Sequence, residues 1–223
     1  MKISNSNKIK LPYKKNNILY RILSSIIYTC LFLYITLEEN QIIFNVFMFF
    51  LASGSIYELV KMNTHKKNNP ITILTALYIL LSFLTLIKIK NGLNGSLIIL
   101  ILISQTWSTD VGGYMIGNFF GQTPLTKISP KKTWEGLIGS IIFCLITGLL
   151  TKDLIHQNLG SNWLFTSIII CLSSVIGDLI ISKIKRINNK KDSGFFLAGH
   201  GGFLDRLDSL FLSSLIFYLF ICK

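Results

Sequence analysis

Residues 168–186 read IIICLSSVIGDLIISKIKR. The run is continuous rather than alternating, so it predicts a helix and not a half-buried strand. It is long enough, with the residues before it, to cross a hydrocarbon core. It also carries one carboxylate, Asp178, and ends in a cluster of cations. Similar runs recur outward from it, and they predict spans at about 19–37, 41–60, 71–89, 96–118, 136–151, 162–181 and 207–222. Of the 223 residues, 51% are hydrophobic and 14% charged, where a soluble domain carries about a quarter. The expected fold is therefore an all-α polytopic membrane bundle of about seven helices. The strand alternation of a membrane β-barrel is missing. The fourth span is expected to be interrupted, because Asp110 and the Gly112-Gly113 pair fall inside it.

The net charge of +12 raises the question of nucleic acid, but its placement points elsewhere. With the N-terminus inside, segments 1–21, 61–67, 119–135 and 182–206 hold 18 of the 22 Lys and Arg residues. Lys88, Lys90, Lys152 and Lys223 lie on the other side. This asymmetry predicts a cytoplasmic N-terminus and an outer C-terminus, and it accounts for the charge without nucleic acid. The N-terminal basic stretch and following apolar run resemble a signal peptide, but the run is long and lacks a small-residue cleavage site, so it reads as the first span. The organisation expected is a basic cytoplasmic arm over 1–18, N-terminal transmembrane helices over 19–95 and a catalytic transmembrane region over 96–223. The arm suits anionic headgroups. Cys30, Cys144, Cys171 and Cys222 form no CxxC and sit in apolar runs, so they read as small apolar side chains rather than disulfides or ligands.

Acids within apolar spans are costly and mark function. Glu58, Asp110, Glu135, Asp178, Asp205 and Asp208 all fall in spans or at their inner ends, on the side of the basic loops. Asp178, Ser182 and Arg186 follow one another at i+4, with Lys185 at i+3 from Ser182, so they share a helix stripe. Asp178 either pairs with those cations or serves as a metal carboxylate beside them. Asp205 and Asp208, at i and i+3, face one point. With Asp178 they would offer three hard oxygen ligands for Mg²⁺ or another hard divalent cation; neutralisation by Arg206 and the loop lysines is the alternative.

Between these acids runs SKIKRINNKKDSGFFLAGHGGFLDRLDSL, residues 182–210. Gly199, Gly201 and Gly202 surround His200, and glycine lets backbone N–H groups approach an anion. A plain flexible turn is the other reading. Upstream, Ser129-Pro130 reads as an N-cap with proline at the first helical position. Lys131 and Lys132 would then stand near a positive helix end, which is unfavourable without an anion nearby, although they also suit simple interfacial anchors. Together these parts describe a cytoplasm-facing site for metal and polyphosphate at the membrane surface, suited to transfer between a soluble nucleotide and a lipid.

The 182–208 stretch resembles the C-terminal signature of the phosphatidate cytidylyltransferases, the CDP-diacylglycerol synthases. Ser182, Lys185, Arg186, Lys191, Asp192, His200, Gly201, Gly202, Asp205, Arg206 and Asp208 fit that pattern, and WSTDVGGYMIG and SPKKTWEG upstream are similar to the family's. Ala198 departs from it, standing where Pro or Gly is usual. The resemblance is carried by residues 100–223, with the first 95 matching only as generic spans. It implies a bacterial cell-membrane enzyme that joins CTP to phosphatidate, giving CDP-diacylglycerol and pyrophosphate. Asp178, Asp205 and Asp208 are the expected metal residues, and together with Lys185 and Arg186 the catalytic ones. Asp110, Lys132, Ser182, Lys191, His200, Gly201, Gly202 and Arg206 are the expected substrate contacts. Expected partners are CTP, phosphatidate and membrane lipids; a homodimer is compatible with the sequence. A CTP-dependent lipid kinase would share the phosphate site but release CDP. An ion-coupled transporter would also carry intramembrane acids, although its site would lie near the midplane and show a repeat.

Overall fold

The computed structural model describes residues 16–63, 69–159, 162–194 and 202–220. Within them the chain is a bundle of eight helices: α1 Asn16–Leu37, α2 Gln41–Met62, α3 Asn69–Lys90, α4 Gly95–Phe120, α5 Trp134–Leu150, α6 Lys152–Leu159, α7 Trp163–Ile187 and α8 Leu204–Phe220. The only β pairing among the described residues is an isolated bridge between Pro124 and Thr133. Seven helices coincide with the expected apolar runs, and the short α6 is an addition. Three of them are long and apolar enough to cross a membrane: Gln41–Met62, Pro70–Lys90 and Trp163–Ile187. Large apolar side chains such as Val46, Phe49, Leu74, Leu81, Ile138 and Leu150 stand exposed on the outside of the bundle. That is costly in water and ordinary against lipid tails.

Helix ends follow local chemistry. Asn40 and Asn162 cap α2 and α7, their Oδ1 atoms accepting the N–H groups of Ile42 at 3.0 Å and Leu164 at 2.9 Å. Such caps satisfy N–H groups that lack an intrahelical acceptor. At the other end of α7, Asn189 adopts a left-handed backbone, φ 54°. The Asn189 N–H then reaches Arg186 O at 3.0 Å and the Lys190 N–H reaches Lys185 O at 2.9 Å. This is a Schellman stop, and it turns the chain at the double Asn of KRINNKK.

Two expectations change. The fourth span is not broken: α4 runs for 26 residues straight through Asp110 and both glycines. Those glycines serve packing instead. A Cβ on Gly112 would lie 2.5 Å from Gly139 O, and one on Gly139 would lie 2.6 Å from Gly112 O. Small residues facing each other in this way let helix backbones approach closely where no hydrophobic drive exists between spans. Ser140 Oγ donates to Thr109 O across the same contact at 2.8 Å. Secondly, Ser129-Pro130 does not open a helix. It starts a turn closed by Lys132 N–H to Ser129 O at 3.0 Å, a position that proline suits equally well. The cap of α5 is Thr133, whose Oγ1 accepts the Gly136 N–H at 3.0 Å.

The two ends of the bundle differ. At one, Lys90 is buried and donates to Thr36 O at 2.6 Å, Glu38 O at 2.7 Å and Ser96 Oγ at 2.6 Å, tying α1, α3 and α4 together. At the other gather the end of α2, the 121–133 turn, the end of α7 and the start of α8, with their charges. Only residues that tolerate left-handed backbone suit position 189. Asn189→Val is therefore expected to lower unfolding stability by about 1–2 kcal/mol, while Asn189→Gly stays close to wild type; thermal unfolding in detergent distinguishes them.

Candidate active site

Packing decides which acids meet. A Cβ on Gly177 would lie 2.9 Å from Asp208 O and 3.0 Å from Leu212 Cβ, so α7 and α8 touch backbone to backbone there. The next residue, Asp178, is thereby brought beside Asp208. The α4–α5 contact at Gly112 and Gly113 likewise sets Asp110 close by. Asp110 and Asp208 each lie within electrostatic reach of Asp178 and of one another.

A cavity of about 280 Å³ opens beside these acids, lined by Asp110, Asp178, Lys132, Thr109 and Ser140, with Tyr114 at its edge. Lys132 Nζ forms an ion pair with Asp178 Oδ2. Ser182 Oγ, one turn on, donates to Asp178 Oδ1 at 3.1 Å. Ser209 Oγ donates to Asp110 Oδ2 at 3.0 Å, linking α8 to α4. Asp208 Oδ1 accepts the Ser209 N–H at 2.9 Å.

Asp205 stands in a second cluster. Its Oδ1 accepts from Lys185 Nζ at 2.7 Å. Its Oδ2 accepts the Ser193 N–H at 2.8 Å, Ser193 Oγ–H at 2.9 Å and the Gly202 N–H at 3.3 Å. Lys185 has thus left the predicted stripe and crossed to α8. Arg186 donates to Lys190 O at 2.9 Å, and Lys191 is exposed. Arg206 lines a separate small cleft with Tyr28 and Trp107. His200 and Gly201 lie outside the described residues. The expectation that Asp178, Asp205 and Asp208 converge finds no counterpart here: among the described residues, no three of His, Cys, Asp and Glu stand close enough to hold a metal. The physical reason is that α8 turns Asp205 toward the backbone of Ser193 and Gly202, while Asp208, one turn on, lies within electrostatic reach of Asp178 on α7.

Three residues outside the expected set take part. Ser209 and Ser193 hold Asp110 and Asp205, and Glu58 of α2 reaches the start of α8. The signals for them were thin: a Ser after each of Asp208 and Asp192, and one acid in an otherwise apolar α2. Glu135 also has a task. Its carboxylate accepts Thr123 Oγ1–H at 2.6 Å and the Gln122 and Thr123 N–H groups at 3.2–3.3 Å. It thereby holds the turn that carries Lys132. These bonds, the Thr123 hydroxyl foremost, pull its carboxyl down to about 2. Its contribution to the turn is therefore present above the ordinary carboxylate value and is lost as pH falls toward 2.

An all-helical bundle with apolar spans, and with acids from two helices and a lysine around one cavity, is the kind of molecule that handles an anionic substrate. Residues 7–222 match the cytidylyltransferase family, and the chain belongs to it. It is 32% identical to the phosphatidate cytidylyltransferase of Rickettsia typhi (strain ATCC VR-144 / Wilmington), over 97% of either chain. It is 47% identical to the chloroplastic phosphatidate cytidylyltransferase 4 of Arabidopsis thaliana, over 55% of this chain and 32% of that one. It is 37% identical to the uncharacterized protein YnbB of Escherichia coli (strain K12), over 63% of this chain and 47% of that one. Against the last two, this chain spans less than half the relative's length; against the Rickettsia enzyme it spans nearly all. The likeness thus runs well upstream of residue 100, into the helices that carry no obvious motif.

If Glu135 holds the lysine-bearing turn, Glu135→Gln should speed amide exchange at Gln122 and Thr123 by about tenfold while leaving Ile103 in the core of α4 unchanged. Hydrogen–deuterium exchange at pH 7 measures both.

Proposed function

We propose that this chain is a phosphatidate cytidylyltransferase, condensing CTP with phosphatidate to CDP-diacylglycerol and pyrophosphate. The observation that carries the reading is family membership over nearly the whole chain, joined to a cavity where Asp110, Asp178 and Lys132 meet at the charged end of an apolar bundle. In the reaction an oxygen of the lipid phosphate bonds to the α-phosphorus of CTP. The bond from that phosphorus to the β-phosphate bridge breaks, and pyrophosphate leaves with the electron pair. The nucleophile is already anionic near neutral pH, so no strong base is needed. The difficulty is bringing two anions together, and fixed charges lower that barrier.

Lys132 contacts phosphate, exchanging its ion pair with Asp178 for a substrate oxygen. Lys185 and Arg186 at the end of α7, with Lys191 and Arg206 nearby in sequence, are the further cationic candidates. Ser182 orients Asp178. Gly202 offers backbone close to the phosphates, and His200 and Gly201 belong to the same motif. Asp110, Asp178 and Asp208 repel one another in the absence of compensation, and carboxylate oxygens are the donors that hard divalent ions take, so the donor type suits Mg²⁺, although no three of these acids converge as they stand. A divalent ion held by Asp178 with Asp208, and by Asp205 should it give up Lys185 or Ser193, would neutralise charge on the phosphates and orient them.

The enzyme works with its N-terminus and basic loops in the cytoplasm and about seven helices in the cell membrane of a bacterium, the asymmetry of Lys and Arg supporting that orientation. Helices over 19–95 form the N-terminal part, 96–223 the catalytic part, and residues 1–18 a basic arm against anionic lipid.

Purified protein given α-labelled CTP, phosphatidate and Mg²⁺ should form a labelled liponucleotide and release pyrophosphate. Release of labelled CDP instead would identify a kinase and overturn the reading. Asp178→Asn should reduce turnover by about 100-fold or more, and Lys132→Met by about tenfold or more. Asp205→Asn is also expected to abolish turnover, and near-normal activity in that variant would remove Asp205 from the reaction.

A further inference from the structure

Glu58 lies one turn before the end of α2, in the half of the chain without motifs. Its side chain is 2% exposed. Its Oε1 accepts the Phe203 N–H at 3.1 Å, its Oε2 accepts the Leu204 N–H at 3.0 Å, and Oε2 also lies 3.1 Å from Ser193 Oγ, whose single hydroxyl proton it shares with Asp205. The first N–H groups of a helix have no intrahelical acceptor and usually take a side-chain oxygen from the preceding residue. Before α8 that residue is Phe203, which has none to give. The cap comes instead from a helix some 145 residues away in sequence. A carboxylate is well matched to the positive end of α8.

Two glycines are shaped around this carboxylate. A Cβ on Gly202 would fall 2.0 Å from Glu58 Oε2, and one on Gly194 would fall 2.8 Å from Oε1. Backbone therefore presses on the carboxylate from two sides, at positions where any other residue must displace it. Ser193 then passes the contact on. Its hydroxyl lies 3.1 Å from Glu58 and 2.9 Å from Asp205, and its N–H donates to Asp205 at 2.8 Å. Asp205 in turn holds Lys185 at 2.7 Å.

We propose that Glu58 is a positioning residue for cytidylyl transfer: from α2 it fixes the backbone at 193–194 and 202–204, and through Ser193 it sets where Asp205 and Lys185 lie. This rests on the proposed activity. It assigns a role in the reaction to the N-terminal helices, which otherwise serve only as spans. It also explains Gly194 and Gly202 as space left for the carboxylate. Loss of Glu58 acts on the geometry of Asp205 and Lys185 rather than on a substrate contact, so it lowers turnover more than binding.

The test uses the full chain in detergent with the liponucleotide assay, after wild type has been shown active; an inactive wild type sinks the activity reading and not this one. Glu58→Gln keeps the shape but loses one acceptor oxygen and the charge. It should lower kcat about tenfold or more with KM for CTP within about threefold of wild type. Ser193→Ala should lower kcat in the same way, and the double variant should fall little below the worse single, because both act along one path. Losses that multiply, or a Glu58→Gln enzyme with unchanged kcat, would overturn the proposal. Should Glu58→Gln not fold, Gly194→Ala takes its place, moving the carboxylate without removing it. It should lower kcat by about fivefold at unchanged KM, and wild-type kcat there would equally overturn the assignment. The shorter carboxylate of Glu58→Asp should restore part of the activity that Gly202→Ala removes, and no restoration counts against the proposal.

Discussion

Carboxylates inside an apolar bundle must each find a donor or a cation, because an unpaired buried charge is costlier than almost any packing defect. Of the acids at the charged end of this molecule, five have a partner that ties two segments together. Asp178 takes Lys132 from the turn before α5. Asp110 takes Ser209 of α8. Asp205 takes Lys185 of α7 and the 193 backbone. Glu58 takes the start of α8. Glu135 takes the 122–123 turn. Asp208 has its neighbour's N–H and lies within reach of Lys185. The same set of contacts that keeps charge tolerable also assembles the cavity.

Close helix contact is the second half of that arrangement. Side chains as short as Asp reach each other across helices only if the backbones nearly touch. Gly112 against Gly139, and Gly177 against the carbonyl of Asp208, provide such contact one or two residues from Asp110 and Asp178. The acids and the glycines beside them work as pairs: one supplies charge, the other the approach that makes the charge useful. Glycines that look like helix breakers in an aqueous protein are helix-packing surfaces here.

Much of this was legible in the chain itself. Continuous apolar runs located seven of the eight helices, and α6 was missed because eight mostly polar residues give no span signal. The motif from Ser182 to Asp208 pointed to the family, and the acids were recognised as unusual because apolar runs rarely carry them. Three things were read otherwise. Gly112-Gly113 suggested a break, since propensity speaks for the isolated helix and not for the partner it packs on. Ser129-Pro130 suggested a helix start, since proline suits both a first helical position and a turn. Asp205 was grouped with Asp178 and Asp208, since i, i+3 spacing puts two side chains on one face but does not say which neighbour lies opposite each.

By itself the sequence determined the membrane class, seven of the eight described helices, and the acids and cations gathered at one end, because period, length and composition are local properties of a chain. Which acid meets which cation was decided only by the tertiary structure. Lys132 lies 46 residues from Asp178, and Glu58 some 145 from the helix it caps. Such pairings depend on how α2, α4, α5, α7 and α8 pack side by side, and no local pattern carries that information.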